Sequence, residues 1–179
     1  MEEIFSTKQR IKILQAIIYK IDSISVNYIA NQLRLSKGLV SKYFNILTKK
    51  GILKRGKGKL SVSDISLVKA IKILLNLSNI DPKIFKKYPF VIAAGLYGSC
   101  AKGENTEDSD VDLWIRLRDV EETKIASLTA DVNRKIKHAK MLILSDKRLE
   151  IIKEEDSMFY YSLAFGSIVL YGDKDALQI

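Results

Sequence analysis

The segment "GLYGSCAKGENTEDSDVDLWI", residues 95 to 115, constrains this chain more than any other. It sets a small-residue turn ahead of two aspartates that alternate with valine and leucine. Residues two apart in a strand share a face, so Asp110, Asp112, Trp114 and Arg116 are expected to point one way and Val111, Leu113, Ile115 and Leu117 into a core. Two carboxylates about 6–7 Å apart along a strand need a shared counter-charge. A hard divalent ion is one solution: magnesium takes one or two carboxylates, keeps several waters and completes its shell with phosphate oxygens. The plain alternative pairs both charges with neighbouring Lys or Arg.

The residues ahead of the aspartates add a second element. Gly98 and Ser99 close the apolar run "FVIAAGLYG", which reads as a covered central strand, and with Ala101 and Gly103 they let backbone approach a ligand without a Cβ clash. A helix starting at Ser99 would offer free N–H groups and a hydroxyl to phosphate oxygens. Cradle and carboxylates at the ends of adjacent strands describe a site for a metal-bound nucleoside triphosphate. Two rival loops fail on their mechanics. A P-loop needs Lys and Ser/Thr after its last glycine, where Glu104 and Asn105 stand here. An EF-hand loop from Asp108 would need Gly at Leu113 and Glu at Asp119.

"GSCAKGENTEDSDVDLWI" resembles the signature of the minimal nucleotidyltransferases of the polymerase-β-like superfamily: Gly-Ser, a small residue, a basic residue and Gly, then Ser-Asp-x-Asp-Leu. The trailing "AFGSIVLYGD" is similar to the end of archaeal members, and the likeness covers about residues 88–179. It implies that Gly98, Ser99, Lys102, Gly103 and Ser109 bind the triphosphate, and that Asp110 and Asp112 are catalytic and hold magnesium or manganese. The implied reaction moves a nucleoside monophosphate from an NTP to a hydroxyl acceptor, pyrophosphate leaving between two metals. The chain departs from the pattern twice. Lys102 stands where arginine is common, which loses the bidentate fork. The third acidic residue of active members, on a later strand, has no counterpart inside "KMLILS", and Asp146 just past its end is the nearest substitute.

Charge separates the front of the chain from the back. Residues 1–62 carry 13 Lys and Arg against 3 Asp and Glu, whereas residues 88–179 carry 12 against 16, so a polyanionic partner is expected of the front alone. Ser6 and Gln9 read as a capping box before a helix striped by Ile11, Leu14, Ile17 and Ile18. Val26, Ile29, Ala30 and Leu33 mark a second helix. Ser36 caps a third, with Leu39, Val40, Tyr43, Phe44 and Leu47 inward, ending at Gly51. "ILKRGKGKLSV" then reads as a two-stranded wing. The stretch "ISVNYIANQLRLSKGLVSKYFNILTKKGILKR" resembles the winged helix-turn-helix of prokaryotic transcription regulators, which implies double-stranded DNA as partner. Lys37, Ser41, Lys42, Asn45 and Lys49 would face a major groove, and Lys54, Arg55, Lys57 and Lys59 the phosphates. The bland alternative is a lysine-rich solvated face on an interaction or dimerisation module.

Asp64 or Ser63 caps a further helix to about Leu77, whose wide apolar stripe suggests a second contact, including a homodimer through residues 64–77. Both prolines fall in "SNIDPKIFKKYP", read as a boundary. Beyond it, strands alternate with helices: "DVDLWIRL", a helix striped by Ile125, Leu128, Val132 and Ile136 and ending at His138, "KMLILS", helical segments around 147–165, and "SIVLYG". The expected fold class is α+β / α/β in two domains, 1–62 a winged helix-turn-helix and 88–179 a mixed sheet with flanking helices, joined by 63–87. Cys100 is the sole cysteine and His138 the sole histidine, so neither an internal disulfide nor a zinc site of soft ligands is expected. Cys100 inside the motif should be shielded from alkylation by bound nucleotide, and Trp114 could stack on a base or simply pack. No signal peptide is recognisable and no apolar stretch approaches the roughly 20 residues of a membrane span, so a cytoplasmic protein is expected. The leading functional expectation is a magnesium-dependent transferase that binds DNA. The alternatives are a degenerate, nucleotide-sensing transcription regulator and an antitoxin-like partner of a toxin.

Overall fold

The computed structural model describes residues 2–56 and 58–177, and Lys57 of the expected wing lies outside the described residues. The chain divides into two compact units, Met1–Leu75 with Asn105–Asp108, and Asn76–Glu104 with Ser109–Ile179.

The first unit begins with a short helix α1 (Glu2–Phe5), then α2 (Lys8–Ile17), α3 (Val26–Leu33) and α4 (Lys37–Lys49). Each longer helix starts where a hydroxyl can take an orphan N–H: Thr7 accepts from Arg10, Ser25 from Tyr28 and Ser36 from Leu39. The cap of α2 is therefore Thr7 and not Ser6, whose hydroxyl instead accepts from the Arg10 guanidinium at 2.8 Å. Arg34, in the left-handed region at φ 54°, closes α3 and sets the tight turn into α4. Apolar side chains spaced by three and four then meet: Ile13, Leu14 and Ile17 of α2, Ile29 of α3, and Val40, Phe44 and Leu47 of α4 are all buried. Tyr43 joins them and donates its hydroxyl to the Ile4 carbonyl at 2.8 Å, which fastens α1 to α4. Strands β1 (Leu53–Gly56) and β2 (Lys59–Val62) form an antiparallel hairpin, and α5 (Ser66–Ser78) follows, with residues 66–75 in this unit and 76–78 in the second, starting later than the expected cap at Ser63 or Asp64. Asn105–Asp108 belongs to this unit because the Glu107 N–H donates to the Tyr19 carbonyl, its carboxylate pairs with Lys20 at 2.8 Å, and Lys72 donates to the Asn105 carbonyl.

The second unit contains the helix α6 (Lys83–Lys86), β3 (Val91–Leu96), α7 (Gly98–Lys102), β4 (Val111–Leu117), α8 (Glu122–Lys135), β5 (Ala139–Leu144), α9 (Asp146–Glu155), α10 (Ser157–Gly166) and β6 (Ile168–Tyr171), then a 3-10 turn at Lys174–Leu177. The sheet order is β5-β4-β3-β6, with β4 and β5 parallel and the other neighbours antiparallel. Helix α8 ends at Lys135, so His138 is not its terminus but a turn residue at φ 55° leading into β5.

The mixed sheet is covered on both faces. On one side Leu113 and Ile115 of β4 join Phe85, Leu128 and Val132. On the other, Trp114 meets Ala93, Leu144, Leu149, Ile152 and Leu163, because α9 and α10 supply a second apolar layer. The expectation that the Trp114 face lies away from a core is thereby corrected. Its indole is fully buried and unavailable to stack on a base. Gly95, its cross-strand partner, makes the room: a Cβ there would overlap the indole ring. Among the described residues no helix is long and apolar enough to cross a membrane.

Gly95→Ala should therefore lower stability by about 1–3 kcal/mol or more through overpacking. Gly166→Ala, at a position with open space around it, should be neutral or slightly stabilising. Urea unfolding of both variants measures the contrast.

Candidate functional site

The turn after β3 is built around Asp112. Gly98 adopts φ 67°, and a Cβ on it would sit 2.5 Å from Asp112 Oδ2, so both backbone conformation and space require glycine. Helix α7 is a single turn closed by Gly103 at φ 68°, whose N–H, like that of Glu104, returns to the Ser99 carbonyl. Two further bonds tie this turn to β4. The Tyr97 N–H donates to the Asp112 carbonyl at 3.0 Å, and the buried Cys100 thiol donates to the Asp110 carbonyl at 3.3 Å. Gly98, half-buried Ser99, Asp110 and Asp112 are thus gathered at one corner of the sheet. Gly103 is buried behind the turn, Lys102 is exposed, and half-buried Ser109 directly precedes the carboxylates.

Burial, first, and the neighbouring Asp110, second, hold the Asp112 carboxyl above its ordinary value of 3.8, with Lys140 opposing them. Tyr97 is raised by burial and then by Asp112. Burial pushes the Cys100 thiol up to about 11. That thiol is already enclosed and protonated without any ligand, so shielding from alkylation cannot report nucleotide binding as the sequence reading expected.

The pattern of single strands missed the most informative residue. In the parallel register of β4 and β5, Asp112 stands opposite Lys140, and the Lys140 ammonium lies 2.6 Å from Asp110 Oδ2. Lys140 stands out as a charge just ahead of the apolar run "MLIL", which is the available sequence signal, but its partner is defined only once β4 and β5 are paired. The hydrogen bond to Asp110 and that group's charge raise the lysine above its ordinary value. With side chains 67% and 40% exposed, the pair contributes little to stability by itself; its interest lies in where it sits.

Asp146, the nearest substitute for a third carboxylate, is placed elsewhere. It begins α9, past the far end of β5, and accepts from Arg116 at 2.8 Å. Arg116 is four residues beyond Asp112 along β4, about 13 Å of strand. Asp146 is therefore not a ligand of the Asp110 and Asp112 corner. Among the described residues, no three His, Cys, Asp or Glu side chains come together as a metal site.

In the first unit, Lys37, Ser41, Lys42, Asn45 and Lys49 are exposed along α4, opposite Val40, Tyr43, Phe44 and Leu47. Steps of four along 37, 41, 45 and 49 keep them on one side of the helix. Lys54, Arg55 and Lys59 are exposed on the hairpin.

Residues 82–176 match the family described as Polymerase beta, Nucleotidyltransferase. A similar solved structure is that of a presumed nucleotidyltransferase from Sulfolobus solfataricus, 17% identical, with a TM-score of 0.39 over 66% of this chain and 95% of that one. No curated protein matches the chain.

A carboxyl raised in the folded state contributes stability that is complete below its unfolded value, 3.8, and is lost as pH rises through the folded value. Asp112→Asn removes that dependence. Its stability gain over the parent should be largest near neutral pH and shrink as pH falls toward 3.8, as read by urea unfolding at a series of pH values without divalent ions.

Proposed function

We propose, from the premise that this chain belongs to the polymerase-β nucleotidyltransferase family, that it binds a nucleoside triphosphate at the Gly98–Ser99 turn and moves its nucleoside monophosphate to a hydroxyl acceptor. The observation that carries this reading is the fit between turn and carboxylate. Gly98 is bare because Asp112 lies where its Cβ would be, so backbone N–H groups, the Ser99 hydroxyl and two carboxylates share one corner. Lys102, exposed at the end of α7, is available to phosphate oxygens as a point charge. Asp112, with Asp110 beside it, would hold a divalent ion, which when bound supplies positive charge to the triphosphate. In the transfer, the acceptor hydroxyl oxygen bonds to the α-phosphorus and releases its proton to solvent as the bond to pyrophosphate breaks and pyrophosphate leaves.

The first unit is proposed to bind double-stranded DNA as a winged helix-turn-helix. Support comes from the exposed row Lys37, Ser41, Lys42, Asn45 and Lys49 on α4, beside Lys54, Arg55 and Lys59 on the hairpin, in a segment with a large excess of positive charge. A second reading, a nucleotide-responsive regulator without turnover, is favoured by the Lys140 to Asp110 pair, which gives one of the two carboxylates a resident partner. The segment Asn105–Asp108 fits that reading as well. It is fastened within the first unit and lies in the chain between Ser99 and Asp110.

Incubation with α-labelled nucleoside triphosphates and magnesium should give label transfer or pyrophosphate release that disappears in the variant combining Asp110→Asn with Asp112→Asn. Nucleotide binding without any product selects the regulator instead, and no binding by the folded protein removes both readings. DNA affinity should fall steeply with salt, and Lys42→Ala and Arg55→Ala should each lower the log–log salt slope by about 1. Binding that ignores salt would leave the first unit an interaction module.

A further inference from the structure

The corner of the sheet holds two carboxylates that differ in their surroundings. Asp112 is pressed against the Gly98 turn, whereas Asp110 Oδ2 already meets an ammonium at 2.6 Å. That ammonium is not a stray surface charge. Its residue stands directly opposite Asp112 in the β4–β5 register, and β5 is fixed there by the unbroken parallel pairing from Val111–Ala139 to Arg116–Leu144. A pair of metal ions clamping the attacking and departing oxygens sits about 3.5–4 Å apart and draws on shared carboxylates. Here one carboxylate has a cation on it, and no third His, Cys, Asp or Glu among the described residues joins the two. The residues fit one divalent ion; they do not fit two.

We infer that Lys140 replaces one of two divalent ions at this site, so that a triphosphate is held with a single divalent ion on the Asp112 side and with the Lys140 ammonium supplying the remaining positive charge. The inference rests on the nucleotide-binding reading above and specifies how that site is charged. An ammonium is a compact cation with three donors, able to bond a carboxylate and a phosphate oxygen at once. Unlike a metal ion, it is always present. Nucleotide affinity in this chain should therefore depend on divalent ions less steeply than an all-carboxylate site would require.

The test counts bound manganese by electron paramagnetic resonance on the full chain with a saturating non-hydrolysable triphosphate, and measures nucleotide affinity by calorimetry. Wild type should carry one ion per bound nucleotide. Lys140→Asp should carry two. Lys140→Met should keep one ion but bind nucleotide about tenfold more weakly, the loss of one charge-assisted contact. If Lys140→Asp fails to fold, the wild-type count and the Lys140→Met affinity still decide. Two ions on wild type, one on folded Lys140→Asp, or unchanged affinity in Lys140→Met would each overturn the inference while leaving the nucleotide site standing. No nucleotide uptake by wild type or either variant would overturn both.

Discussion

Two like charges at the start of β4 are the constraint around which the second unit is arranged. Asp110 and Asp112 repel each other, and the partial burial of Asp112 raises the cost, which is why its carboxyl holds its proton more tightly than usual. The fold meets this by positioning and by charge. Glycine at position 98 lets the backbone turn come against Asp112, and Lys140 arrives from the neighbouring strand to neutralise Asp110. The carboxylate of Asp112 is left without a resident ammonium of its own and is opposed by Lys140 only through its charge.

Such a corner needs a rigid base, and the sheet provides one by being apolar on both faces. Trp114, two residues from Asp112, fills the layer beneath α9 and α10, and Gly95 on β3 leaves the space its indole occupies. Leu113 and Ile115 fill the opposite layer. Alternate residues of β4 therefore pack above and below the sheet, with the carboxylates at the strand start. Cys100 contributes by size and by its bond to the Asp110 carbonyl, and burial pushes its thiol up.

The first unit follows simpler rules. Its helices begin at hydroxyl caps and bury residues spaced by three and four, leaving a polar row along α4. Tyr43 and the unforeseen α1 close one end. The less expected feature is Asn105–Asp108, held through Lys20, Tyr19 and Lys72, because this short segment lies in sequence between the turn and the carboxylates.

Most of the secondary structure and the members of the turn and carboxylate motif could be read directly from residue order. Period-3.6 and period-2 hydrophobicity, glycine and hydroxyl caps are local, and the chemistry of Gly98, Ser99, Asp110 and Asp112 lies within a span of 15 residues. The errors were of another kind. Taking one face of β4 as the core face left the Trp114 face uncovered, since only the return of α9 and α10 covers it, and of the two readings of Trp114 packing is the one the structure shows. Asp146 looked close to the site in sequence but is carried to the far end of the strands by parallel pairing, while Lys140, 28 positions after Asp112, is brought directly opposite it. Residue order by itself determined the members of the turn and carboxylate motif and the helices and strands that carry them. Strand pairing decided which charges meet, because register between strands depends on contacts distant in sequence and on no local preference.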